Sequence, residues 1–146
     1  MLYLDTSFVA PIVLPEATSH RVEEFICRQQ PGEMAVSHWT RIEFAGLVAR
    51  RVRMGELRDV HAIRAMAAFD RLLSESFQIL LPELSDYGLA VEMLKDRRLG
   101  IRSGDALHLA IARNQEAQFI TLDIKLIKAA RLVGAKADSG IALGRK

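Results

Sequence analysis

Leu2-Tyr3-Leu4-Asp5-Thr6-Ser7 opens the chain with three apolar residues, one carboxylate and two hydroxyls. The apolar triplet reads as a buried strand. Ser7 to Leu14 reads as a short helix, with Thr6 as its N-cap and Pro11 tolerated only near its first turn. A strand followed by a charge and a helix is the unit from which α/β domains are built, and the pattern recurs along the chain.

Val22, Phe25 and Ile26 give helical spacing from about Thr18, and Pro31-Gly32 marks a turn. Met34 to Val36 is a second short strand; Ser37 then caps a helix to about Met54, closed by Gly55. A further helix runs from about Glu56 to Ser74, with Val60, Ile63, Ala67 and Leu73 as its inner positions. Phe77 to Leu81 is a third strand ended by Pro82, and Ser85 caps a helix reaching about Leu99. Gly104 to Gln115 is apolar on most faces and is expected deep in the domain. Phe119 to Thr121 is a fourth strand, and Ile124 to Val133 a helix stopped by Gly134. Beyond it, Lys136, Asp138 and Gly140 make a poor fifth strand. The alternation predicts one α/β domain over residues 1–146, a three-layer α/β/α sandwich around a parallel sheet of four or five strands.

Composition agrees. The chain has 146 residues, half of them hydrophobic and 26% charged, which suits a folded globular protein and argues against disorder. No window of about 18 uncharged apolar residues exists to span a membrane, and Asp5 interrupts any leader-like start, so a cytoplasmic location is expected. The single cysteine, Cys27, forms no zinc-site pattern and reads as a buried, inert thiol on the apolar side of its helix.

In parallel sheets, sites form beyond the carboxyl ends of the strands. Asp5 follows the first strand there, Asp123 follows the fourth, Asp105 stands in the first turn of the deep helix, and Glu43 lies within the helix after the second strand. Acids brought together from separate segments repel one another unless a cation neutralises them. Oxygen ligands suit Mg²⁺, and metal-assisted water attack is a standard route to phosphodiester cleavage. Taken singly, each acid has a plainer reading: Asp5 and Asp123 as helix caps (Asp5 an awkward one after a buried strand), Asp105 as a partner of the helix dipole, Glu43 as an exposed helix residue. The formal net charge is +2, and becomes +6 once these four negative charges are set aside, which describes an acidic pit in a basic surround.

At these residues the sequence resembles the PIN-domain family. Leu4-Asp5-Thr6-Ser7 is similar to its opening motif and Arg41-Ile42-Glu43-Phe44-Ala45 to its second block. The run from Arg102 to Ala110, containing Gly104-Asp105-Ala106-Leu107-His108, is similar to the third block, and Thr121-Leu122-Asp123 with Leu126 to the fourth. Chain length and the lack of extra domains look most like VapC toxins. What the resemblance implies is a Mg²⁺- or Mn²⁺-dependent endoribonuclease acting on single-stranded or looped RNA, dimeric, and held inactive by a VapB-type antitoxin. Asp5, Glu43, Asp105 and Asp123 would be both its metal ligands and its catalytic acids. Arg102 and Ser7 are candidates for substrate contact, and the Thr6 or Ser7 hydroxyl for orienting Asp5.

The remaining residues carry expectations too. His108 reads as a packed histidine with a satisfied hydrogen bond rather than a general base, and Trp39 and Phe44 as core or interface. Arg50, Arg51, Arg53 and Arg58 are expected on helical faces, 50 with 53 and 51 with 58, facing RNA, solvent or a dimer rim. Phe8, Val9, Ile12 and Leu14 either pack inward or offer an apolar strip to the antitoxin. A phosphoacceptor receiver-like domain is the rival outside nucleases, but it wants an adjacent acidic pair after the first strand, where Thr6-Ser7 stands. An RNA-processing or DNA-directed PIN nuclease is the rival within the class.

Overall fold

A computed structural model describes residues 1–143. In chain order the elements are β1 (Leu2–Leu4), α1 (Thr6–Val13), α2 (Ser19–Cys27), β2 (Met34–Ser37), α3 (His38–Arg53), α4 (Asp59–Ser76), β3 (Gln78–Leu80), α5 (Leu84–Lys95), α6 (Ser103–Asn114), β4 (Gln118–Ile120), α7 (Ile124–Leu132) and β5 (Ala137–Asp138). The strands form one parallel sheet in the order β3-β2-β1-β4-β5.

Strand periodicity divides the interior in two. Tyr3, Ala35 and Phe119 point to one face and pack with Ala90 and Met93 of α5, Leu109 of α6 and Ala129 of α7. Their neighbours Leu4, Val36 and Ile120 point the other way, onto Phe8 of α1, Val22 of α2, Phe44 of α3 and Phe69 of α4. This is the expected three-layer α/β/α sandwich. Helix α6 is the deep one: Gly104 and all residues from Ala106 to Ala112 are buried.

Several local expectations are corrected. Asp5, not Thr6, is the N-cap of α1; its carboxylate accepts the Phe8 amide, and Thr6 is already helical. The fifth strand, which the sequence left open, is present as two residues, with Ala137 beside Phe119 and Asp138 beside Ile120. At a sheet edge a short strand carrying charge is tolerated, so low strand propensity there was a poor guide. Helix α4 begins at Asp59; Leu73 is buried as expected, but with Ala65 and Phe69, whereas Ala67 is exposed and Val60 and Ile63 are 47% and 71% exposed. The Phe69 ring stacks on Phe44 at 3.7 Å between centroids, and this aromatic pair sets the rotation of the helix. The cap of α5 is Glu83 rather than Ser85.

Cys27 is exposed, not buried. It lies five residues after buried Val22, which places it on the far side of α2. Arg58 precedes α4 as its N-cap, so it shares no helix with Arg51, which pairs with Glu16. Phe8, Val9 and Leu14 are core residues and cannot form an external apolar strip.

Candidate active site

Strand order reverses direction from β1 to β4, so the crevice beyond their carboxyl ends is the switch point where α/β sheets bind ligands. Asp5 leaves β1 at that place. It is only 5% exposed. Its Oδ1 accepts from the Ser7 hydroxyl at 2.7 Å and the Phe8 amide at 3.1 Å, and its Oδ2 accepts from Thr121 Oγ1 at 2.8 Å. Burial raises the Asp5 pKa above the ordinary carboxylate value; the charge of His108 and the Ser7, Thr121 and Phe8 donors pull the other way without cancelling it. The three donors offset part of the cost of placing a carboxylate in a buried position.

Glu43 comes from the second turn of α3. Its Oε2 accepts from the Thr6 hydroxyl and from His108 Nε2, the latter at 2.7 Å. Burial works to raise its pKa, but the hydrogen bond and charge of His108, with the Thr6 hydroxyl, outweigh it and hold the group below the usual carboxylate range. Its Oε1 lies over Gly104, beside the buried Trp39 Nε1, which has no hydrogen-bond partner among the described residues.

Asp105 occupies the first turn of α6, and its Oδ2 accepts the Arg102 amide at 2.9 Å. Asp123 is the N-cap of α7, its Oδ1 accepting the Lys125 amide at 2.7 Å. Neither Asp105 Oδ1 nor Asp123 Oδ2 takes part in a hydrogen bond among the described residues. Three of the four acids therefore do act as helix-terminal acceptors, as their plainer readings had it. A carboxylate has about four acceptor sites, so capping uses only part of it.

Asp105 and Asp123 line one cleft of about 280 Å³ together with Arg102 and Lys125. Asp123 also borders a second, of about 540 Å³, with Thr6, Ser7, Glu16, Arg50 and Arg51. Acid is thus flanked by basic side chains on two sides. Ser7 is committed internally, giving its proton to Asp5 and accepting the Leu122 amide at 3.0 Å. Arg102 lies at the cleft rim, with an exposed side chain.

The donor set is all oxygen and suits a hard divalent cation in kind. Among the described residues no three acids, histidines or cysteines converge in a metal-holding arrangement, since these carboxylates are turned toward backbone amides and hydroxyls.

Tyr3, Thr121, Trp39 and Gly104 complete the site's structure, although sequence reasoning gave none of them a role in it. Thr121, two residues before an acid at a strand end, was the one with a local signal. Tyr3 and Trp39 looked like core, and their polar ends become visible only in three dimensions.

The chain is similar in structure to Mycobacterium tuberculosis VapC20, a toxin described as cleaving the sarcin-ricin loop: 22% identity, TM-score 0.70, covering 88% of this chain and 95% of that one. It is similar to FitAcB from Neisseria gonorrhoeae, with 17% identity, TM-score 0.70 and coverage of 96% and 98%. It is also similar to a chain of VapBC-1 from nontypeable Haemophilus influenzae, with 21% identity, TM-score 0.67 and coverage of 96% and 98%. No curated protein matches in sequence. The family model of the PIN domain matches residues 2–132, nearly the whole length, and the chain belongs to the PIN domain family.

Proposed function

We infer that this protein is a Mg²⁺- or Mn²⁺-dependent endoribonuclease, the toxin of a type II toxin–antitoxin pair, cleaving single-stranded or looped RNA. The observation that carries this reading is Asp5: a buried carboxylate at the switch point, kept by three donors in a place where its charge is costly without a cation. Asp5 and Asp105 would hold the metal, with Glu43 and Asp123 completing the set. A divalent cation bound there supplies charge neutralisation at the phosphate and an acidified water as nucleophile. Ser7 and Thr121 fix Asp5 from two sides, and His108 and Thr6 fix Glu43. Arg102 and Lys125 on one flank, and Arg50 and Arg51 on the other, offer cationic contacts to the RNA backbone.

The toxin assignment rests on overall likeness to structures described as VapC and VapBC. It implies a VapB-type antitoxin that places a basic side chain among the acids. Homodimer formation is supported by Leu84, Tyr87, Val91 and Leu94 of α5, which recur at alternating three- and four-residue spacing and are 90%, 50%, 53% and 39% exposed. No helix among the described residues is long and apolar enough to cross a membrane, which is compatible with cytoplasmic action.

The direct test is cleavage of a single-stranded RNA with Mg²⁺, with Mn²⁺ and with excess chelator. Cleavage only with metal is expected. Undiminished cleavage in chelator would overturn the metal reading, and cleavage of DNA with RNA untouched would transfer the protein to the DNA-directed nucleases.

A further inference from the structure

A buried line of polar groups crosses the domain from Ser37 at the end of β2 to Glu43. Ser37 Oγ accepts from the Tyr3 hydroxyl at 2.9 Å. That hydroxyl meets His108 Nδ1 at 2.8 Å, and His108 Nε2 meets Glu43 Oε2 at 2.7 Å. Ser37 and Tyr3 are fully buried, and His108 is 1% exposed. An ionised carboxylate has no proton to give, so the last bond requires the proton on Nε2.

An ordinary core histidine needs one satisfied nitrogen and a place to pack. His108 has polar partners at both nitrogens, and one of them is a candidate metal ligand. The two partners prevent the ring from turning: the Tyr3 side fixes its plane, and the Nε2 side aims at one oxygen of one carboxylate. Thr6 binds the same oxygen, Oε2. Oε1 is left over Gly104, where a missing side chain provides its space, at the start of the helix that carries Asp105.

The geometry points to His108 as a positioning residue for Glu43: with Thr6 it pins Oε2 and leaves Oε1 as the oxygen free to meet a cation, while Tyr3 and Ser37 lock the imidazole from behind. The inference rests on the metal reading given above for the use of Glu43, but not for its orientation. It assigns His108 no proton transfer and no contact with RNA.

Outer partners of ligating groups commonly contribute about 10- to 100-fold to metal affinity. The test compares His108→Leu, which keeps bulk and removes the donor, with His108→Gln, whose side-chain amide restores an N–H near the place of Nε2. Mn²⁺ binding to the purified full chain is measured from free Mn²⁺ by electron paramagnetic resonance, and each metal-free variant is crystallised. Expected are Mn²⁺ binding weakened at least about tenfold in His108→Leu, recovery to within about threefold in His108→Gln, and Glu43 turned away only in the Leu variant. Unchanged binding in His108→Leu would overturn the proposal. Equal weakening in both variants would overturn it too, by showing that the ring acts through packing. If the unsubstituted protein binds no Mn²⁺, the metal reading falls, and the crystals alone decide the positioning role: an unmoved Glu43 in His108→Leu refutes it, and a displaced one upholds it. Should His108→Leu fail to fold, Tyr3→Phe removes the hydroxyl behind the ring and is read the same way, an unmoved Glu43 and unchanged Mn²⁺ binding overturning the proposal.

Discussion

Gly104 lies beneath the carboxylate of Glu43 so closely that a β-carbon there would overlap Glu43 Oε1, and it would stand 3.2 Å from Trp39 Nε1. The obstructing atom is the end of a flexible side chain, so Gly104→Ala is expected to fold, and in a helix alanine gains up to about 1 kcal/mol over glycine. Glu43 must give way instead. A misplacement of about 1 Å at a reacting centre can cost about a hundredfold in rate. RNA cleavage should fall steeply while the melting temperature holds or rises. Full activity in a well-folded Gly104→Ala protein would show that the place of Glu43 is unimportant.

Asp5 makes stability depend on pH. Its folded pKa is raised, chiefly by burial, so the folded state prefers the protonated acid. The contribution is fully present below the unfolded value and is lost as pH rises through the folded one. Asp5→Asn lacks this titration, so the variant should gain on the parent as pH is raised through that window, in metal-free urea titrations. Mg²⁺ should then stabilise the parent more than the variant. A stability difference independent of pH would contradict the burial argument.

Asp105→Asn should separate activity from folding. The amide oxygen can still accept the Arg102 amide, which Asp105 Oδ2 accepts at 2.9 Å, so the first turn of α6 survives. The charge does not. Cleavage is expected to fall to background with an unchanged urea midpoint; activity at the parent's level would place the site elsewhere.

The sequence disclosed the alternation of strands and helices, the parallel sheet and the depth of α6, because strand and helix periods are local properties. It also marked four acids near the strand ends. It misjudged α4, where Val60 and Ile63 compete with Phe69 for the inner face and only the stacking of Phe69 on Phe44, from another helix, decides. The double partnership of His108 was equally out of reach, since Tyr3 is 105 positions away and Glu43 is 65.

Phe8 supplies a check on the corrected placement of α1. It is fully buried and meets Phe25 edge-on at 5.2 Å between ring centroids. Phe8→Ala should cost about 3–5 kcal/mol of stability by opening a cavity. A urea midpoint equal to the parent's would mean that the ring is not in the core.

Self-association through α5 predicts that Val91→Glu, at a site 53% exposed, yields monomers with little change in melting temperature. Sedimentation of parent and variant decides it. A parent that is monomeric at micromolar concentration would remove this surface from consideration.

The place of β1 between β2 and β4 has a consequence for when the site can assemble on a growing chain. A growing chain carries Asp5 long before the residue that braces it. The hydroxyl of Thr121 that braces this acid is made 116 residues later, and Asp123 follows it. Until then β1 has one open edge and the set of acids is incomplete, whatever the first helices have done. For the ribonuclease proposed above, this order of strands would keep the hazard from arising before β4 is made, leaving time for an inhibitor to be present first.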